Sequence, residues 1–107
     1  MKEIIVTTSE FIPGKKITKI VGVVRGNTVR SRNIGRDIGA AFKNMVGGEI
    51  KTYTELISLS RDEAYNRMIN NAIKMGANAI INVRFTTSTV MAGASEMLVY
   101  GTAVKLN

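Results

Sequence analysis

The stretch Met75-Gly76-Ala77-Asn78-Ala79-Ile80-Ile81-Asn82-Val83-Arg84-Phe85 reads as the end of a helix and the beginning of a strand. Upstream of it, Tyr53, Ile57, Ser60, Ala64, Met68, Ala72 and Met75 are apolar or small and recur every three or four residues. That spacing lines them along one face of a helix. A neighbouring line of Tyr65, Ile69 and Ile73 widens the face. Gly76 follows where a helix can finish in a left-handed residue without steric cost. Beyond it, Ala79, Ile81, Val83 and Phe85 point one way while Asn82, Arg84 and Thr86 point the other, which predicts a half-buried strand. The helix itself is expected to start near Thr52 or Thr54, because Thr52 lies three residues before Glu55 in the pattern of a capping box.

Working outward, residues 87–95 are mostly small and predict a flexible connection, followed by a last strand over residues 96–106. Gly101 in that strand suggests that both of its faces meet protein. Toward the amino terminus, Gly47-Gly48 stop an earlier helix that Asn33 would cap. In it Ile34, Ile38, Ala41, Phe42, Met45 and Val46 form an amphipathic stripe. Gly35 and Gly39 on that helix would let another backbone approach. Ile4-Ile5-Val6-Thr7-Thr8 is a short strand by its β-branched residues, and Pro13-Gly14 is a turn signal. Residues 17–30 form a second strand, whose apolar centre Ile20-Val21-Gly22-Val23-Val24 does not alternate and so predicts burial on both faces. Gly22 and Gly26 mark a bulge or a close backbone approach. The order is ββααββ: one α+β domain over residues 1–107, with a largely antiparallel sheet packed on two helices.

Composition removes several kinds of chemistry. Among 107 residues there is no cysteine and no histidine. Disulfides, thiolate metal sites, cysteine nucleophiles and imidazole bases are therefore impossible. Any metal would have to use oxygen from Asp37, Glu49, Glu55, Asp62, Glu63 or Glu96, or methionine sulfur, which suits hard ions or copper(I). Met45, Met68 and Met75, however, sit on apolar helical stripes where packing is their expected use. No apolar run approaches the length of a signal peptide core or a membrane span, so a cytoplasmic protein with no membrane partner is expected.

The formal charge is +7, and the 15–36 segment carries Lys15, Lys16, Lys19, Arg25, Arg30, Arg32 and Arg36 with no acidic residue. Such a segment is either a solvated basic surface or a phosphate-binding one, in which Arg25, Arg30 and Arg32 would contact nucleic acid. Arg36-Asp37 stand near the start of the first helix, where Asp37 complements the dipole and Arg36 can hold an anion or a neighbouring subunit. Tyr53 and Arg61 lie two turns apart on the second helix and can line a pocket between subunits. Asp62 and Glu63 are adjacent, so on a helix they diverge by roughly 100° and do not chelate one ion together. The run Asn33-Ile34-Gly35-Arg36-Asp37-Ile38-Gly39 lacks the spacing of a nucleotide-binding loop. No cofactor is expected, and nothing in the spacing calls for an enzyme.

Thr7-Thr8, Gly22, Arg36-Asp37, Gly47-Gly48, Tyr53, Arg61, Ala64, Gly76-Ala77-Asn78-Ala79 and Gly101-Thr102-Ala103-Val104 occur in an order and spacing that resemble the YbjQ-like family. The resemblance covers essentially the whole chain. That family groups small bacterial and archaeal proteins whose domain is labelled "putative heavy-metal binding". The resemblance implies a dodecin-like subunit assembled with copies of itself into a ring, a homopentamer, with no particular reaction attached. Its heavy-metal label sits poorly with a chain that lacks both cysteine and histidine. A ligand would then bind between subunits or in the pore, with Arg36, Asp37, Tyr53 and Arg61 as its candidate contacts.

Overall fold

Five elements follow one another in residues 4–30, 49–91 and 94–107, the residues that the computed structural model describes. They are β1 (Ile5–Val6), β2 (Ile17–Arg30), α1 (Glu49–Lys74), β3 (Ala79–Met91) and β4 (Ala94–Leu106). The expected first helix lies outside the described residues, among which there is one helix. The strands form a single mixed sheet in the order β1-β3-β4-β2. β4 pairs antiparallel with both β2 and β3, while β1 adds a short parallel pairing to β3. The architecture is α+β, with the helix on one face.

The helix packs by the stripe read from the sequence. Ser60, Ala64, Met68 and Ala72 are buried, and Tyr65 and Ile69 border the same core. Ile57 and Met75 depart from that stripe, 39% and 41% exposed, Met75 being past the last helical residue. The helix is already present at Glu49, so Thr52 and Thr54 are interior positions and not caps. At the other end, the Gly76 N–H donates to the Ile73 carbonyl and the Ala77 N–H to the Ala72 carbonyl. With Gly76 at φ 87°, this is a Schellman motif. Ala77 and Ala72 share the core cluster and supply the apolar contact that accompanies such a stop. Pro13-Gly14 forms a turn closed by the Lys15 N–H and the Ile12 carbonyl at 3.1 Å, with Gly14 at φ 77° as a type II turn requires.

Gly26 lets the sheet and helix meet. A Cβ there would fall against the carbonyl oxygen of Ala64 and the nitrogen of Met68, both backbone. The helix axis therefore crosses β2 with no side chain between them. Two residues on, the buried Thr28 hydroxyl lies 2.9 Å from the Ser60 hydroxyl and donates to the Ser60 carbonyl at 3.2 Å, which satisfies both side chains inside the interface. Arg67 and Asn71 reach past the helix to the edge of β2, donating to the carbonyls of Asn27 and Arg25 at 2.7 and 2.8 Å. These fill acceptors that an edge strand otherwise leaves open.

Two sequence expectations are corrected in β3 and β4. The residues expected as a flexible connection, 87–95, are strand on both sides of a long hairpin: β3 runs to Met91 and β4 begins at Ala94. Threonine at two of these positions, Thr87 and Thr89, and valine at position 90 favour extended backbone, whereas small and polar residues alone do not make a turn. The simple alternation of β3 also breaks. Asn82 adopts φ 53° and the register shifts between Ile81 and Arg84, a bulge. Ile80 and Val83 therefore both face the helix core, whereas Ala79 and Ile81 join a second cluster with Val104 and Leu106 on the other face. Ala79 and Val83, expected on one side, lie on opposite sides.

Candidate functional site

The sheet has one face under the helix and one face without it. Alternation assigns the residues: Val24, Val83 and Val99 belong to the core under the helix, and Gly101 packs on Ile80 and Val83 there. Their neighbours Arg25, Arg84 and Tyr100 consequently occupy the other face. At one end that face is closed by Ile12 and Ile17 over the Ala79, Ile81, Val104 and Leu106 cluster. Beyond that end no described element covers it, and Val23, Arg25, Asn27, Val29, Arg84 and Tyr100 are exposed.

On the open part, pairing brings side chains from three strands into rows. Val23, Thr102 and Ile81 form one row, whose Ile81 end is buried in the closed cluster; Arg25, Tyr100 and Arg84 form the next; Asn27, Leu98 and Thr86 the third; Val29, Glu96 and Ser88 the fourth. Directly paired residues stand close enough for their side chains to interact. The second row is the chemically distinctive one: an exposed tyrosine on the middle strand, flanked by an arginine on each side. The Arg84 Nη1 donates to the carbonyls of Thr8 and Val83 at 3.1 and 2.9 Å, which anchors this guanidinium against the chain following β1. Among the described residues, neither Arg25 nor Arg84 has a carboxylate partner. In the fourth row, Glu96 accepts from the Asn27 side-chain amide at 3.0 Å.

The sequence-derived candidates are scattered by comparison. Arg36, Asp37 and Arg32 lie outside the described residues, as do the side chains of Tyr53 and Arg30. Arg61 is exposed on α1 and donates to the Ser58 hydroxyl at 3.4 Å, away from the open sheet face. Of the three arginines suggested for phosphate contact, Arg25 stands on the open face, and the residues that pairing sets beside it are Tyr100 and Arg84. In the sequence, both are no more than residues within strands. Nothing in a linear reading pairs residues 25, 84 and 100, since that juxtaposition depends on the register of β4 against both neighbours.

The donor set for a metal is dispersed in the same way. Among the described residues no three histidine, cysteine, aspartate or glutamate side chains come together as a possible ion site. Glu63 pairs with Arg67 at 2.6 Å, and Glu96 is engaged by Asn27. The Met97 sulfur accepts from the Thr87 hydroxyl at 3.2 Å, while Met68 is fully buried in the core. Asp37 and the side chains of Glu49 and Glu55 lie outside the described residues. Among those residues, no helix is long and apolar enough to cross a membrane.

Comparison with known proteins places this scaffold. A family model described as "Putative heavy-metal-binding" matches residues 4–107. A protein of Archaeoglobus fulgidus named UPF0145 is 59% identical over 105 residues, covering 98% of this chain and 97% of its own. UPF0145 proteins of Shewanella frigidimarina and Thermosipho melanesiensis are 57% and 56% identical, each over 102 residues and 95% of this chain. Among solved structures, a protein of unknown function from Pediococcus pentosaceus, assigned to the DUF74 family, superposes with a TM-score of 0.64. It covers 97% of this chain and 98% of its own at 18% identity, a likeness of fold. Matched along its length by the family model and by relatives more than half identical to it, the chain belongs to the YbjQ-like family, whose members here carry the name UPF0145.

Proposed function

We propose that the protein is a cytoplasmic, non-enzymatic subunit of a homo-oligomeric ring, five copies joined head to tail, that serves as a binding scaffold. The observation that carries this reading is the pair of dissimilar margins on one sheet. On one margin, β2 is an edge strand with Ile20 69% and Val23 77% exposed. On the other, β1 and the residues after it pair with β3 only as far as Val83, whose N–H donates to the Thr7 carbonyl. Past that point β3 is itself an edge, and Phe85, stacked on Tyr65 at 6.1 Å, is 47% exposed.

Long edges with exposed apolar side chains are surfaces that proteins ordinarily cover. Joining one margin to the other is a heterologous contact, which repeats around a ring until it closes. The unbroken apolar run of β2, only one face of which is buried within the subunit, is accounted for by the same contact. An anion held between subunits would meet Arg61, with Arg36, Asp37 and Tyr53 as this reading's further candidates.

The heavy-metal description attached to the family does not fit the residues present. Soft heavy ions take thiolate or imidazole ligands, and the sequence has neither. The described carboxylates are separate and two of them already have partners. No metal step is therefore assigned.

Sedimentation velocity at micromolar concentration, with native mass spectrometry of the same sample, tests the ring. Five copies of the 11.6 kDa chain are expected. Substitutions Val23→Asp and Phe85→Asp, one on each margin, should each shift the assembly to smaller species. A monomeric wild-type protein, or a closed two-fold dimer, would overturn the reading.

A further inference from the structure

We propose that the open sheet face binds single-stranded nucleic acid, with a base stacked on Tyr100 and phosphates held by Arg25 and Arg84. The proposal goes beyond ring assembly and concerns the face of the sheet, which meets the proposed ring margin at β2, where Val23 lies one row from Arg25.

The geometry has three parts. Tyr100 is 39% exposed on the middle strand, so its ring offers a stacking surface away from the helix core. Arg25 and Arg84 lie directly opposite it on the two adjacent strands, their backbones separated by two strand spacings, about 10 Å. The tyrosine therefore stands between strands that each carry an arginine at the paired position, with the Arg84 guanidinium drawn toward Thr8. Arg84 is held by its Nη1 bonds to Thr8 and Val83, and among the described residues its Nη2 has no hydrogen-bond partner. The adjoining rows contribute Thr102, Asn27 and Thr86, side chains that hydrogen-bond to sugar, phosphate or base edges.

Sheets that bind single strands work by this combination, in which unpaired bases stack on exposed aromatic side chains while a basic surface follows the backbone. A duplex keeps its bases stacked on each other and offers no face to Tyr100. The net charge of +7 favours a polyanion over a single small anion. A second copy of the chain is a poor occupant: laid symmetrically on this face, it would set Arg25 and Arg84 against arginines of its own. Glu96, in the fourth row, repels phosphate and bounds the footprint toward the tip of the hairpin.

The test is fluorescence anisotropy of the full-length protein with a labelled single-stranded oligonucleotide of mixed sequence, about 12 nucleotides long. The same sequence as a duplex and a free mononucleotide serve as competitors. Binding is expected at low salt, with the duplex and the mononucleotide competing poorly. Tyr100→Ala should weaken binding on the order of tenfold and Tyr100→Phe should preserve it, since stacking needs the ring and not the hydroxyl. Arg25→Gln and Arg84→Gln should each flatten the slope of log affinity against log salt by about 0.7, the loss of one single-strand phosphate contact.

No binding at low salt would overturn the proposal. So would duplex binding as tight as single-strand binding, or affinity untouched by Tyr100→Ala in a variant whose circular dichroism matches the parent. A mononucleotide that competes as well as the oligonucleotide would overturn the assignment of a polymer. Arg25 is an exposed edge-strand residue, so its variant tests the site even if Tyr100→Ala proves unstable.

Discussion

The two faces of this sheet are built from the same three long strands and obey different rules. Under the helix, Val24, Gly26 and Thr28 alternate along β2 as small or apolar buried residues, each fitted to one feature of α1. On the opposite side of the same strand, Val23, Arg25, Asn27 and Val29 are exposed and make few demands on packing. Stability is thus concentrated on one face, and the other is free to carry side chains chosen for contact with something else.

The sharpest way to break this asymmetry is Gly26→Ala. The new Cβ would collide with helix backbone at Ala64 and Met68, atoms that cannot swing aside as a side-chain tip can. We expect a loss of more than about 4 kcal/mol, seen as failure to give a cooperative thermal transition. A stable Gly26→Ala protein would mean that the helix does not cross β2 at this point. Next in size is Thr28→Val, which leaves the Ser60 hydroxyl buried without its side-chain partner. Chemical denaturation should register a cost of roughly 1–3 kcal/mol.

At the small end is Val29→Thr on the open face, where the side chain is 52% exposed. Its effect should stay within about 0.5 kcal/mol in the same measurement. A cost as large as that of Thr28→Val would show that the supposedly open face is covered, and would remove the contrast between the two.

The helix and its stop were readable because both are local. A stripe at three- and four-residue spacing followed by Gly76 needs no partner to be recognised, and Ser60, Ala64, Met68 and Ala72 are buried as the stripe requires. The limits of β2 were equally visible in its β-branched content. The phase of β3 was not, because one residue, Asn82, takes a left-handed conformation in the middle of an apparently regular alternation. Asparagine tolerates that backbone better than most residues, yet nothing beside it announces the bulge.

The hairpin over residues 87–95 was hidden for another reason. Its threonines and serines are exposed on both faces, so the alternation of apolar and polar residues that reveals a strand is missing. The candidate site lay further still from view. Arg25 was visible as part of a basic run, but its association with Tyr100 and Arg84 exists only through the pairing of β4 with two different strands, one of them far away in the chain.

Those pairings also dictate an order of events. β4 occupies the centre of the sheet, bonded to β2 on one side and β3 on the other, and it follows both in the chain. During synthesis β2 emerges early and has no strand to join until β4 appears, since its partners run from Ser95 to Leu106. The α1 and β3 elements can form or dock meanwhile, but the sheet cannot be zipped from its first strand onward. The last strand is the keystone, and until it arrives the most apolar segment of the chain waits unpaired.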